Sequence, residues 1–202
     1  MPIQQNLPHA PATVRNRIPI RSVLDPYLKR ARCVLEIASG TGEHIAWLAP
    51  QYPNIKWHPS DICPDTLPTI NAYNQNNDNV LPALELNTQS SKWPISERFD
   101  LITCINMAHI SDFKSTLCLF KNSVQYIEPN GVLYFYGPFN KANQFTSPGN
   151  EAFHMSLKQQ SPQWGLRDVE TIIHSAEESG WALIQHIDMP ANNMSLFFQL
   201  NP

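Results

Sequence analysis

The chain has 202 residues, enough for one domain with a sizeable core but crowded for two. Its hydrophobic share of 42% is ordinary for a globular protein, and no run approaches the ~18 consecutive apolar residues of a spanning helix, so disordered and membrane-spanning classes are excluded. A net charge of −3, with lysine and arginine sparse and dispersed, argues against a nucleic-acid partner and for a small molecule or a protein side chain.

Met1 to Ala12 is polar and proline-containing, without a charged start followed by an apolar run. It reads as a flexible tail and not as a secretory signal, so cytoplasmic residence is expected. Cys33, Cys63, Cys104 and Cys118 are scattered without CxxC spacing. They read as reduced, mostly structural thiols, and neither a disulfide framework nor a metal site is expected.

A short helix is expected over residues 14–30, with Val23, Leu24, Tyr27 and Leu28 apolar and Pro26 interrupting it. Cys33 to Ile37 is an apolar run of buried-strand type, followed by the turn Ser39-Gly40-Thr41-Gly42. A helix from Glu43 to about Pro50 comes next, with Ile45, Leu48 and Ala49 on one face. A second strand, Ile55 to His58, is closed by Pro59-Ser60-Asp61. The following helix carries Leu67, Ile70 and Tyr73, and a short third strand falls within Val80 to Leu86. Phe99 to Ile105 is the clearest buried strand. Ser111 reads as the N-cap of a helix with Phe113, Leu117, Phe120, Val124 and Ile127 at helical spacing, ended by Pro129-Asn130-Gly131. Val132 to Tyr136 is a fifth strand, with Tyr134, Phe135 and Tyr136 as core residues. The polar stretch 138–165 is long for a loop and reads as a lid-like insertion, with a short helix over 150–160. A helix over Arg167 to Ser179 turns Val169, Ile172, Ile173 and Ala176 inward and stops at Gly180. Strands at Ala182 to Ile187 and Met194 to Leu200, joined by a short link, form a hairpin. Strand–helix alternation makes the whole chain, 1–202, a single α/β domain with a mostly parallel sheet.

Val34-Leu35-Glu36-Ile37-Ala38-Ser39-Gly40-Thr41-Gly42 is the strongest motif. Its small residues let a ligand approach the backbone, and the turn and helix start offer amide donors. With only seven glycines in the chain, two placed two apart are informative. Glu36 is out of place in an apolar run unless a ligand-bearing site at the strand's carboxyl end satisfies it. Asp61, twenty-five positions on, stands where doubly wound folds place the acid that takes ribose hydroxyls. A dinucleotide fingerprint would need a small residue at Ile45, which disfavours a nucleotide-dependent oxidoreductase.

The motif matches the Glu-x-Gly-x-Gly-x-Gly of class I methyltransferases, with Ala38 in place of the first glycine. Together with Cys104-Ile105-Asn106-Met107-Ala108-His109-Ile110, Tyr136-Gly137-Pro138-Phe139, Trp164-Gly165-Leu166-Arg167-Asp168 and Met189-Pro190-Ala191-Asn192-Asn193, it resembles a family of methyltransferase-like proteins of unknown function that includes methyltransferase-like 26. The resemblance spans roughly residues 12–200. It implies a Rossmann-like sheet of seven strands flanked by helices, with the last strand antiparallel, and S-adenosylmethionine as cofactor, with S-adenosylhomocysteine as product. Glu36 and the backbone of Ala38, Ser39, Gly40 and Gly42 would hold the methionine end, Asp61 the ribose and Ile62 the adenine face. Asn87 would reach the adenine edge, and Asn106 and Met107 would line the cofactor. The expected activity is methyl transfer to an unidentified small-molecule or protein acceptor. The alternative is a non-catalytic protein that binds S-adenosylmethionine or S-adenosylhomocysteine, or an interaction protein, on the same fold.

Methyl transfer needs in-line positioning and desolvation more than an acid–base dyad, so no catalytic pair is required. Asn106 and His109 are candidate catalytic groups, His109 being either a general base or a packing histidine. Asn106-Met107 is not the Asn/Asp-Pro-Pro-Tyr/Phe signature of enzymes that methylate exocyclic amines. Glu43 and His44 are candidates for ligand contact at the helix start. Trp164, Arg167, Asn192 and Asn193 either build the substrate side or fix loops.

Overall fold

The computed structural model describes residues 7–201. Helix α1 (Pro11–Leu28) opens the fold. It is followed by β1 (Cys33–Ile37), α2 (Glu43–Leu48), β2 (Lys56–Asp61), α3 (Leu67–Asn74), β3 (Leu84–Glu85), β4 (Phe99–Ile105), α4 (Phe113–Ser123) and β5 (Ile127–Asn140). Helix α5 (Pro148–Gln160), β6 (Arg167–Asp168), α6 (Val169–Glu177), β7 (Trp181–Met189) and β8 (Asn193–Leu200) complete it. The strand order is β3-β2-β1-β4-β5-β8-β7, with the two-residue β6 on β5 outside this path. β1 to β5 are parallel, and β8 runs antiparallel to both β5 and β7. This is the expected Rossmann-like sheet, with the short β6 added.

Alternation along the central strands divides the core between the two faces. Ile102 and Cys104 of β4, Leu133 and Phe135 of β5, and Leu196 and Phe198 of β8 pack with Leu119, Phe120, Ile172 and Ala176 from α4 and α6. Leu101 and Ile105, Val132, Tyr134 and Tyr136, and Phe197 pack with Ile20, Leu24 and Leu28 of α1 and Ile45 and Leu48 of α2. A sheet covered on both faces requires strands that are largely apolar, as β1 and β4 are apart from Glu36, Asp100 and Thr103.

Several boundaries differ from the sequence reading for identifiable reasons. Of the expected tail, residues 1–6 lie outside the described residues, while Pro11 and Ala12 are already helical. α1 continues through Pro19 and Pro26. Burial of Ile20, Leu24 and Leu28 at helical spacing outweighs the roughly 3 kcal/mol cost of an interior proline. Pro59 does not close β2. The β2–β3 pairing is interrupted between the Trp57–Val80 bridge and the Ser60–Leu84 pair, and Pro59, which has no amide hydrogen, falls in that interruption. The N-cap of α4 is Asp112, whose Oδ1 accepts the Lys114 amide (3.1 Å), while Ser111 Oγ donates to the Met107 carbonyl (2.9 Å). α4 turns Thr116, Leu119, Phe120 and Ser123 inward and leaves Leu117 exposed. Ile127 belongs to β5, and Pro129-Asn130-Gly131 bulges out where the β4–β5 register shifts. Arg167 and Asp168 pair with Phe139 and Asn140 instead of beginning α6.

Candidate functional site

The sheet reverses its winding between β1 and β4, the adjacent strands from which the order grows in opposite directions. Loops diverge at such a switch point and leave a crevice at the carboxyl ends of the strands. A cavity of about 510 Å³ lies there. Glu36, Ala38, Ser39, Gly40 and Thr41 from the β1 turn form one wall, and Ile105, Asn106, His109 and Ile110 from the end of β4 form another. α1 contributes Thr13, Arg15 and Asn16, and α5 contributes Asn150 and Phe153.

The β1 turn is held by the protein itself. The Ser39 amide donates to the Ser60 carbonyl (2.8 Å), the Gly42 amide to the Ser39 carbonyl (2.8 Å) and the Gly40 amide to Asp61 Oδ2 (2.9 Å). The other Asp61 oxygen accepts the Cys63 amide (3.0 Å). These amides, expected as ligand donors, are therefore engaged before any ligand arrives. Gly40 and Gly42 also differ from each other. A Cβ on Gly40 would meet nothing within 4 Å, whereas one on Gly42 would lie 2.9 Å from Ile70 Cα. Gly42 lets α2 start against α3 and does not line the cavity.

Glu36 is 3% exposed, and its Oε2 has no partner among the described residues. Burial raises its carboxyl to about 7; a hydrogen bond from Ser39 opposes the shift and the nearby Asp61 charge adds to it. His44 and His109 also line the cavity, and each has a buried Nδ1 without a partner among the described residues. Burial lowers both to about 4, with Arg167 adding to the effect at His109 and Glu43 opposing it at His44, so both rings are neutral at physiological pH. Three residues of the wall that are not glycine, Ala38, Asn106 and Ala191, adopt left-handed φ of 55–64°. Strain of this kind costs about 1–3 kcal/mol per residue and concentrates at functional sites.

Of the residues singled out from sequence, Glu36, Ala38, Ser39, Gly40, His44, Asn106, His109 and Asn193 are on the wall. Asp61 stands behind it, bonded to Gly40. Ile62, 55% exposed, and Asn87, whose Oδ1 accepts the Gln89 amide, lie on the carboxyl rim formed by β2 and β3. Met107 does not line the cavity. It is buried in the core with Leu119 and Phe135, because the turn after β4 points it back under the sheet. Arg167 donates to the carbonyls of Ala108 (3.0 Å), Ser111 (2.8 Å) and Gln163 (2.7 Å), with its guanidinium over Phe113, so it fastens the post-β4 turn. Trp164 and Asn192 are off the wall; Asn192 offers its carbonyl to Asn150 Nδ2 (3.3 Å).

Sequence reasoning missed the α1 wall. Glu43 Oε1 bonds His9 Nδ1 (2.6 Å), while Oε2 accepts the Ala10 amide (2.7 Å) and the Thr41 hydroxyl (2.8 Å). Tyr73 donates to the Pro8 carbonyl (2.9 Å). Residues 8–16 thus form a strap alongside the β1 turn. The capacity of Glu43, the first residue of α2, to tie a preceding segment was the available signal.

This fold is that of class I methyltransferases. The chain belongs to the family described as Protein of unknown function (DUF938), whose model matches residues 7–200. Among solved structures it is similar to an O-methyltransferase family protein from Burkholderia thailandensis, at 18% identity and TM-score 0.81, covering 94% of this chain and 57% of that one. It is similar to human N-acetylserotonin methyltransferase in complex with SAM, at 14% identity and TM-score 0.79, covering 95% and 53%. It is also similar to PigF with SAH, at 14% identity and TM-score 0.74, covering 85% and 51%. The chain spans little more than half the length of these proteins, and at such identities the likeness is one of fold.

Proposed function

We propose that the protein binds S-adenosylmethionine at the switch-point cavity and transfers its methyl group to a small-molecule acceptor. The observation that carries this reading is the buried, unpartnered carboxylate oxygen of Glu36 beside a cradle of small residues. A carboxylate in that position calls for a cationic partner, and the α-ammonium of the cofactor's methionine end supplies one. Ala38 and Gly40 leave room for the cofactor's body. Asp61 keeps lone pairs beyond the two amides it accepts, enough for ribose hydroxyls, and Ile62 offers an apolar surface on the same rim. Engaged turn amides disfavour a pyrophosphate ligand, which would have to strip Gly40 from Asp61.

When bound, S-adenosylmethionine supplies an electrophilic methyl on a sulfonium. The protein's part is to hold and orient it, for which α1, α5 and the β1 turn flank the cavity. Asn106 and His109 stand at the end of β4, on the side facing an acceptor. Nearer kinship to methyltransferase-like 26 is supported by the five quoted segments. A cytoplasmic setting is supported by the free Cys63 thiol on the surface.

Thermal unfolding with S-adenosylmethionine, S-adenosylhomocysteine and NAD tests the reading. Ligand at a hundred times its dissociation constant stabilises by about 2.7 kcal/mol, or about 5–10 °C for a chain of this size. Either sulfur ligand should give that shift, Gly40→Arg should abolish it, and NAD should give none. A shift with NAD alone would overturn the assignment. Methyl transfer from labelled cofactor to a small-molecule extract separates an enzyme from a binder.

A further inference from the structure

Beyond the β1 turn, the cavity has a second half with a different chemistry. Its lining includes Ile105, Asn106, His109 and Ile110 from the end of β4, Pro138 from β5 and Phe153 from α5, with Asn150 and Asn193 as uncharged polar neighbours. Ile110 and Phe153 are large apolar side chains left 43% and 39% exposed at this cavity. α5 buries only Asn150 and Leu157, so Phe153 is not a core residue of its helix. Its ring meets the His109 ring edge to face at 5.5 Å. His109 is itself 4% exposed, with Nδ1 unpartnered among the described residues. Gly137 keeps β5 clear of it, since a Cβ there would come within 3.3 Å of that nitrogen.

The charges around the cavity are as informative. Its ionisable lining residues are Glu36, Arg15, His44 and His109. Glu36 belongs to the cofactor end, Arg15 is exposed on the rim, and the two histidines are neutral. An ammonium entering beside Phe153 would lose its water with no carboxylate nearer than Glu36, and a carboxylate would meet only Arg15, exposed on the rim, and Arg167, whose guanidinium is already bound to three backbone carbonyls. Alkyl amine nucleophiles are cationic at neutral pH, whereas hydroxyls are not. A neutral imidazole accepts a hydrogen bond from a hydroxyl, and an aromatic face favours a flat apolar body.

We propose that this half is the acceptor chamber and that it takes an uncharged aromatic alcohol, with its ring against Phe153 and Ile110 and its hydroxyl hydrogen-bonded to His109. The proposal rests on the methyltransferase reading for the word acceptor, but the binding it describes stands separately.

Titration of the full chain with 2-naphthol, 2-naphthoate, 2-naphthylmethylammonium and 2-methoxynaphthalene, followed by fluorescence with and without S-adenosylhomocysteine, tests it. The naphthol should bind about tenfold or more tighter than either charged analogue. It should also bind more tightly than the methoxy compound, which lacks the donor. Phe153→Ala, at a part-exposed site, should weaken naphthol roughly fivefold and leave S-adenosylhomocysteine binding unchanged. NMR of labelled histidine should show the His109 ring signals moving with naphthol and far less with 2-methoxynaphthalene, which avoids relying on a buried substitution. Equal binding of a charged analogue, indifference to Phe153→Ala, or unmoved His109 signals would overturn the proposal. Loss of S-adenosylhomocysteine binding alone would overturn the cofactor reading and leave the chamber standing.

Discussion

Glu36 is the last residue but one of a strand that is otherwise apolar, and its protonation is the most direct handle on the site. With its carboxyl raised to about 7 by burial, with Ser39 opposing and Asp61 adding, the free protein holds it mostly protonated at pH 6 and mostly ionised at pH 8. A ligand ammonium beside it favours the ionised form. Affinity for S-adenosylhomocysteine should therefore rise from pH 6 to pH 8, by up to about tenfold, with nearly one proton released on binding at pH 6. Calorimetry in two buffers of different ionisation enthalpy reads both quantities, and Glu36→Gln should remove both. Equal affinity at the two pH values would place the ammonium elsewhere. The anomaly of Glu36 was legible in sequence because a carboxylate stands out in a buried run. The role of Met107 was not: its neighbours Asn106 and His109 face the cavity, and only the tight turn after β4 decides that it points to the core.

At the scale of elements, the β1 turn, α2 and α3 form one packed unit in which two similar glycines have separate duties. Both have positive φ, which costs a residue with a side chain about 1–2 kcal/mol. Gly42→Ala adds a collision with the Ile70 backbone and with Asn74 at 3.2 Å, so it should lower stability by about 3 kcal/mol or more. Gly40→Ala should cost about 1 kcal/mol, because its Cβ meets nothing. Urea unfolding of the two variants checks this, and equal losses would show that the α2–α3 contact is looser than described. Central strands were the most legible elements: Phe99–Ile105 and Cys33–Ile37 are largely apolar runs, broken at Asp100, Thr103 and Glu36, because both faces of the sheet are covered. The inward face of α4 was not, since Ser115, Thr116 and Ser123 are buried by their position over the sheet while apolar Leu117 is left outside. A pattern of residue types alone favours the opposite choice.

For the molecule as a whole, three cavity groups set opposing pH dependences of folding. Glu36 has a folded pKa above its unfolded 4.5, so its contribution is complete below about 4.5 and is lost as pH rises through about 7. His44 and His109 are depressed from 6.5 to about 4, so theirs is complete above about 6.5 and is lost as pH falls through about 4. Two histidines outweigh one carboxyl up to about pH 7, where the opposing slopes cancel. Stability should rise by roughly 2 kcal/mol from pH 4.5 to about pH 7 and then level off. Urea midpoints across this range test the rise, and Glu36→Gln, which removes the opposing slope, should make it steeper. A midpoint still climbing at pH 8 in the unsubstituted protein would contradict the balance. The strap has a consequence of a different kind. Among the described residues, the cavity wall at Ala10 is tied to α2 by the carboxylate of Glu43, with Tyr73 holding Pro8 just before it, while the opposite wall is built into the sheet. The Ala10 amide is thus a clock for the site: its rate of exchange with deuterium measures how often one side of the chamber comes away, and a bound ligand that bridges the two sides slows that clock.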